Sequence, residues 1–231
     1  MNKKSIILGL LFVVPILIFL VFATGITNFN TLDVDSAKLE DISSFKTIDG
    51  QPVSLKNKTT VLGFLGNDLS IRKINVYNLH EEIYKGLHSY DTDFQMVMLL
   101  PNNAKGKLDP ILKELKRYTK INKWKFAYGT PDAIKAVFKS IKTPLQLDEH
   151  YGTDYVFIVD KDMRLRHSKT NKEIAKTKGY NATSIAMLHK EMDDDVTILL
   201  FEYKAATKSN YTVSRRDSFL KINQKKNSDE K

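Results

Sequence analysis

The sequence predicts an α/β domain: a mixed β-sheet with flanking helices, preceded by one N-terminal transmembrane helix. Three observations predict it. Short apolar runs alternate with segments of helical period through the middle of the chain, antiparallel turn signals stand at both ends of that alternation, and an uncharged apolar stretch opens the sequence. A strand–helix–strand alternation implies parallel crossovers, and hairpins at its ends add antiparallel neighbours to the same sheet.

At 231 residues the chain has room for one domain with appendages. It contains no cysteine, which excludes disulfides, thiolate metal ligands and any dithiol redox cycle. The net charge of +9 favours an acidic partner or an anionic membrane surface.

The N-terminal stretch from Ser5 to Thr24 (SIILGLLFVVPILIFLVFAT) is almost wholly apolar, and no charge occurs between residues 5 and 32. About 20 residues at ~1.5 Å rise span roughly 30 Å, the thickness of a bilayer's hydrocarbon core. Lys3 and Lys4 precede the stretch, so residues 1–25 read as a cytoplasmic N-terminus and signal anchor, with the rest of the chain on the far side. In a bacterial inner membrane that side is the periplasm. A cleaved signal peptide is the alternative, although Phe22-Ala-Thr-Gly-Ile26 is a poor small-x-small cleavage site.

Residues 26–40 are polar and aperiodic and read as a linker, and the folded domain is expected over 41–206. Ile42-Ser-Ser-Phe-Lys-Thr-Ile48 alternates with period two, Asp49-Gly50 signals a turn and Pro52-Val-Ser-Leu55 starts a return strand. The run 60–65 is apolar on both faces, as a central strand requires. Val76, Leu79, Ile83 and Leu87 then recur at helical spacing. Residues 94–100 form a second buried strand, and Leu108, Ile111, Leu112, Leu115 and Tyr118 mark a second helix. Trp124 to Tyr128 is a short strand. Thr130-Pro131 opens a helix as N-cap and N1, with Ile134, Val137, Phe138 and Ile141 inward. A hairpin over 155–167 turns at Asp160-Lys-Asp162, residues 169–180 read as a loop, and a last helix begins near 181–184. Residues 207–231 read as a basic, disordered tail: from 208 onward they hold seven basic and three acidic side chains.

The predicted order, hairpin, βαβαβα, hairpin, helix, is the thioredoxin-like arrangement. Within it, Phe45-Lys-Thr-Ile-Asp-Gly-Gln-Pro-Val-Ser-Leu55, Val61-Leu-Gly-Phe-Leu-Gly66 and Tyr155-Val-Phe-Ile-Val-Asp-Lys-Asp-Met-Arg-Leu165 resemble the Sco/SenC family of membrane-anchored copper-binding proteins. That family helps assemble the copper A centre of cytochrome oxidase, through a Cys-x-x-x-Cys pair after the Phe-x-Gly segment and a distal His. Counted from Phe64, the two cysteine positions fall on Ser70 and Ile74, and the His position falls near Gly152, two residues from His150. The resemblance therefore implies the family's fold and anchor, with its thiol site lost. His150 stays as a weak metal candidate.

No other chemistry stands out. His80, His88, His150, His167 and His189 lack the i, i+4 spacing of a helical metal clamp and read as surface or partly packed imidazoles. Met96 and Met98 share one strand face; they could form a soft copper(I) pair but read better as core. Asp193-Asp-Asp195 reads as a solvated face, and Ser70 as the N-cap of a helix starting at Ile71. The expected function is non-enzymatic: a cysteine-less Sco-like protein that binds a protein partner in oxidase or envelope assembly. No cofactor and no nucleic acid is expected. A copper carrier with a rebuilt His/Met site is the alternative.

Overall fold

Seven strands share one sheet: β1 (Asp33–Lys38), β2 (Thr59–Leu65), β3 (Phe94–Pro101), β4 (Trp124–Gly129), β5 (Gly152–Val159), β6 (Arg164–His167) and β7 (Tyr180–Asn181). The computed structural model describes residues 10–19, 32–89 and 93–207. The strand order is β1-β6-β5-β2-β3-β4, with β7 paired to β5. Strands β2, β3 and β4 are parallel, whereas β5 runs antiparallel to β2, β6 and β7. This is the mixed sheet that the order of elements predicts.

All seven residues of β2 and all eight of β3 are buried, so both faces of the sheet's centre need cover. The period-two alternation of side chains sorts them into two cores. On one face Val61, Leu65, Met96, Met98, Leu100, Val156 and Ile158 pack with Val76, Leu79 and Ile83, with Leu108, Ile111 and Leu115, and with Leu188, Met192, Val196 and Leu199. On the other, Leu62, Phe64, Val97, Leu99, Phe157 and Val159 meet Ile134, Val137 and Phe138 and the segment carrying Ile42, Phe45, Val53 and Leu55. Met96 and Met98 are core residues, as the buried strand implies.

Residues 10–19, numbered α1, are helical and belong to a unit separate from the domain that starts at Thr31. The rest of the Ser5–Thr24 stretch lies outside the described residues. No helix among the described residues is long and apolar enough to cross a membrane. In the domain, α2 (Leu69–Leu79) continues through a π turn (His80–Tyr84) and a last turn (Lys85–Leu87). Helix α3 is Asp109–Tyr118 and α4 is Pro131–Ser140, with Thr130 Oγ1 accepting from the Ala133 N–H as the predicted cap. Helix α5 (Lys172–Thr177) is short. A final helix, α6, starts at Ile185 under a Ser184 cap, includes a π turn (Leu188–Met192) and reaches residue 207. The basic tail from 208 onward lies outside the described residues.

Three expectations need correction. The linker expected over 26–40 contributes β1, whose residues pair with β6 from Asp33↔His167 to Lys38↔Arg164. Its side chains are exposed or half-buried, so backbone pairing forms the strand without an apolar signature. The expected hairpin of 42–48 with 52–55 is reduced to single bridges, Lys46↔Pro52 and Lys46↔Tyr128. Ile42, Phe45, Val53 and Leu55 plug the second core instead, around the predicted Asp49-Gly50 turn. The loop expected over 169–180 contains α5, capped by Asn171 Oδ1, and leads into β7.

Phe157 is fully buried and meets Phe64 and Phe138 edge-on, with ring centroids 6.2 and 6.3 Å away. Phe157→Ala is expected to cost about 3–5 kcal/mol, read as a lower urea midpoint at an unchanged slope.

Candidate functional site

Sequence position brings three candidates, Ser70, Ile74 and His150, to the junction of β2 with α2, and the structure shows how that junction is closed. After Leu65 the chain turns at Gly66, whose φ of +77° suits glycine. A Cβ there would come within 2.6 Å of the His150 carbonyl oxygen, so the turn and the 148–152 loop press backbone to backbone. The Asn67 N–H donates to that same carbonyl at 2.9 Å, and His150 Nδ1 lies 3.0 Å from Asn67 Oδ1. His150 is thus drawn to the turn that holds Ser70.

Ser70 does not cap the helix. Asp68 does: its carboxylate accepts from the Ser70 N–H at 3.0 Å and from the Ser70 hydroxyl at 2.7 Å. The Ser70 hydroxyl bond, followed by its N–H bond, holds the Asp68 carboxyl below its ordinary range. Ser70 Oγ is therefore committed as a donor to Asp68, whose lowered pKa makes it a poor general base. Ile74 points outward and is 52% exposed, beside Ile71 at 45%.

The inward face of α2 carries a residue that the sequence reading missed. Arg72 is 5% exposed and reaches back to the 148–152 loop. Its Nη2 donates to Asp148 Oδ2 at 2.7 Å, and its Nε lies 3.3 Å from Asp154 Oδ1. The other Asp148 oxygen accepts from the His150 and Gly152 N–H groups, each at 2.9 Å. Burial raises the Asp148 carboxyl, but the bonds from Gly152 and Arg72 outweigh it and hold it below its usual value. A Cβ on Gly152 would lie 2.5 Å from Arg72 Nη1, so glycine there makes room for the guanidinium. Asn75 Nδ2 adds a bond to Asp154 Oδ1 at 2.9 Å, and Asn78 Nδ2 one to the Ala182 carbonyl at 3.0 Å. The inward face of α2 thus buries Arg72, Asn75 and, in its last turn, Asn78, while its first turns expose two isoleucines. A signal existed: Arg72 stands four residues before Val76, on the periodicity of the buried face.

The family's copper does not fit these residues. There is no thiolate, the Ser70 hydroxyl is held by Asp68, Ile74 has no donor, and a buried cation lies between Asp148 and Asp154. Among the described residues no cluster of three His, Cys, Asp or Glu could hold a metal.

The remaining candidates are dispersed. His189 pairs with Glu82 at 3.2 Å on the surface, and His88 Nδ1 lies 3.1 Å from the Lys85 carbonyl. Two imidazoles expected at or near the surface are buried. His167 lies 3.7 Å from Asp35, and His80 stacks on Tyr84 with centroids 5.2 Å apart. Both His80 nitrogens lack a hydrogen-bond partner among the described residues, and burial pushes its pKa down. The Asp193–Asp195 run is not wholly solvated either. Asp195 is 7% exposed and accepts from the Tyr180 hydroxyl at 2.6 Å, because residue 195 faces β7 across the core.

No protein-family model and no curated sequence matches the chain. Solved structures do. BsSco, described as a member of the Sco family of cytochrome c oxidase assembly proteins, matches with a TM-score of 0.50 at 18% identity, over 76% of this chain and 96% of that one. A SCO1/SenC family lipoprotein from Bacillus anthracis str. Ames gives 0.49 at 17%, over 72% and 97%. Copper-bound ScoI from Arabidopsis thaliana gives 0.43 at 18%, over 70% and 99%. The likeness to BsSco shows a shared fold: this chain has the thioredoxin-like fold of a Sco protein and contains no cysteine.

Two measurements follow from this geometry. Arg72→Ala leaves Asp148 without its cation and is expected to destabilise the domain by about 1–3 kcal/mol in urea unfolding. Burial raises the Asp195 carboxyl to about 6, above the 3.8 of a free group, so the folded state binds its proton more tightly. This stabilisation is complete below 3.8 and is lost as pH rises through 6. Asp195→Asn is therefore expected to remove a fall in stability between about pH 4 and 6, seen as the difference between the two melting-temperature profiles.

Proposed function

We propose that this chain is a membrane-anchored, cysteine-free Sco-like protein that works by binding a protein partner, in cytochrome oxidase or other envelope assembly, without thiol or copper chemistry of its own. The observation that carries this reading is the closed β2–α2 junction. Where the resemblance places two thiolates, one side chain is a hydroxyl already donating to Asp68 and the other is an exposed isoleucine. The hydrocarbon stretch from Ser5 to Thr24 behind Lys3 and Lys4 supports an anchor with the domain on the far side of the membrane. The Ile71–Ile74 pair puts two exposed apolar side chains on α2 beside that junction, with Ser70 and Lys73. Exposed isoleucines there suit contact better than catalysis.

Copper titration of the full chain in detergent, under reducing and oxidising conditions, tests the reading. The expected result is no saturable one-to-one uptake. Tight stoichiometric binding would overturn it in favour of a carrier using His150 and methionines. As a positive control, Ser70→Cys with Ile74→Cys puts two thiols at i, i+4 on α2 and is expected to create copper(I) binding in the same assay.

A further inference from the structure

Strand β4 is the last strand of the sheet, and its outer edge is only partly used. The Met96 N–H donates to the Lys123 carbonyl at 2.9 Å, so the odd-numbered residues of β4 face β3 and the even-numbered ones face outward. Of these, Tyr128 exchanges two bonds with Lys46, at 2.8 and 3.2 Å, and the Trp124 N–H donates to the Ile121 carbonyl at 3.1 Å. Phe126 lies between them. Neither its N–H nor its C=O has an outward partner among the described residues. The bridge at Lys46 shows that this edge accepts an antiparallel neighbour, and that neighbour stops one pair short of Phe126.

The edge opens into a cleft of about 880 Å³ between β4, α3 and the 47–51 turn. Its floor is apolar, with Trp124, Phe126 and Leu112. Its rim is basic on one side: Lys116, Lys120 and Lys125 line it opposite Asp49 and Asp109, and residues 105–125 as a whole carry eight Lys and Arg against Asp109 and Glu114. An edge with a free N–H and C=O at Phe126, an apolar floor beside it and lysines at the rim is the chemistry that recognises an extended acidic peptide.

We propose that the β4 edge is a docking site for an extended acidic segment of a partner protein, which adds as a strand beside Phe126 and sets its carboxylates against Lys116 and Lys120. Charge argues against two other occupants: a second copy would bring the same lysine rim, and the 208–231 tail is itself basic. The proposal deepens the partner-binding reading, and its failure is separable from that reading's. A chain that takes up no copper and ignores acidic strands refutes only the docking site.

Trp124 is the chain's one tryptophan and lines the cleft, so emission from the full-length protein in detergent reports on this place alone. The probe is a ten-residue peptide alternating Glu with Val and Thr. It is expected to shift the emission saturably. Versions with Lys for Glu, or with N-methylated amides along one edge, should bind at least about tenfold more weakly. Lys116→Glu with Lys120→Glu, both on exposed side chains, should weaken the acidic peptide by about tenfold while leaving the melting temperature near that of the parent. Equal binding of the N-methylated peptide, equal binding of a heparin fragment, no response to the acidic peptide, or a sedimenting dimer that shields Trp124 would each overturn the proposal.

Discussion

A strand buried on both faces is the constraint on which this domain depends. Every side chain of β2 is out of water, and the strand has a parallel neighbour on one side and an antiparallel one on the other. Its backbone groups can be satisfied only by those two neighbours, and its side chains only by helices or plugs above and below. The rest follows from that demand. Helices α2, α3 and α6 cover one face, and α4 with the 42–55 segment covers the other. The residues just after β2 then fall at the end of the central strand, where a turn, a helix N-terminus and the 148–152 loop converge.

At that convergence the side chains are held in structural bonds. Arg72 draws α2 toward the loop through Asp148 and Asp154, Asp68 closes the helix end on Ser70, and the His150 carbonyl holds the turn through Asn67. Each bond uses a donor or acceptor that a ligand would otherwise need. A hydrogen-bonded cation in this position also repels any second one. The outer surface of α2 exposes Ile71 and Ile74 beside Ser70 and Lys73.

The sheet was legible in the sequence because its central strands are apolar runs of the right length between turn signals, and its helices because Val76, Leu79 and Ile83, or Ile134, Val137 and Phe138, repeat at their period. Strand β1 was not legible, since Asp33, Asp35 and Lys38 show no apolar alternation and the strand exists only through β6, over 120 residues away. The reverse holds at 42–48, where alternation real enough to suggest a strand serves to plug a core. At the site, the absence of cysteine could be read directly, and the position of His150 nearly so. The ion pairs of Arg72 could not, because they join α2 to a loop and a strand about 80 residues on. Asp195 was misread for a related reason: a run of three acids looks solvated until the fold turns one of them inward toward Tyr180.

The pairing of β1 with β6 sets the order in which the domain can be completed. A strand that begins at residue 33 has its partner at 164–167, and β2 waits for β5, so two of the sheet's contacts close loops of about 90 to 130 residues. Loop closure of that length precedes the contacts that reward it, which slows folding relative to a chain of local pairings. The β2–β3–β4 unit can assemble from nearby sequence, as the β5–β6 hairpin does later in the chain. A chain emerging from its N-terminus would carry this three-stranded unit with β2 unpaired on its far side until residue 152 appears, and that exposed edge is the species that a chaperone or a premature dimer would meet first.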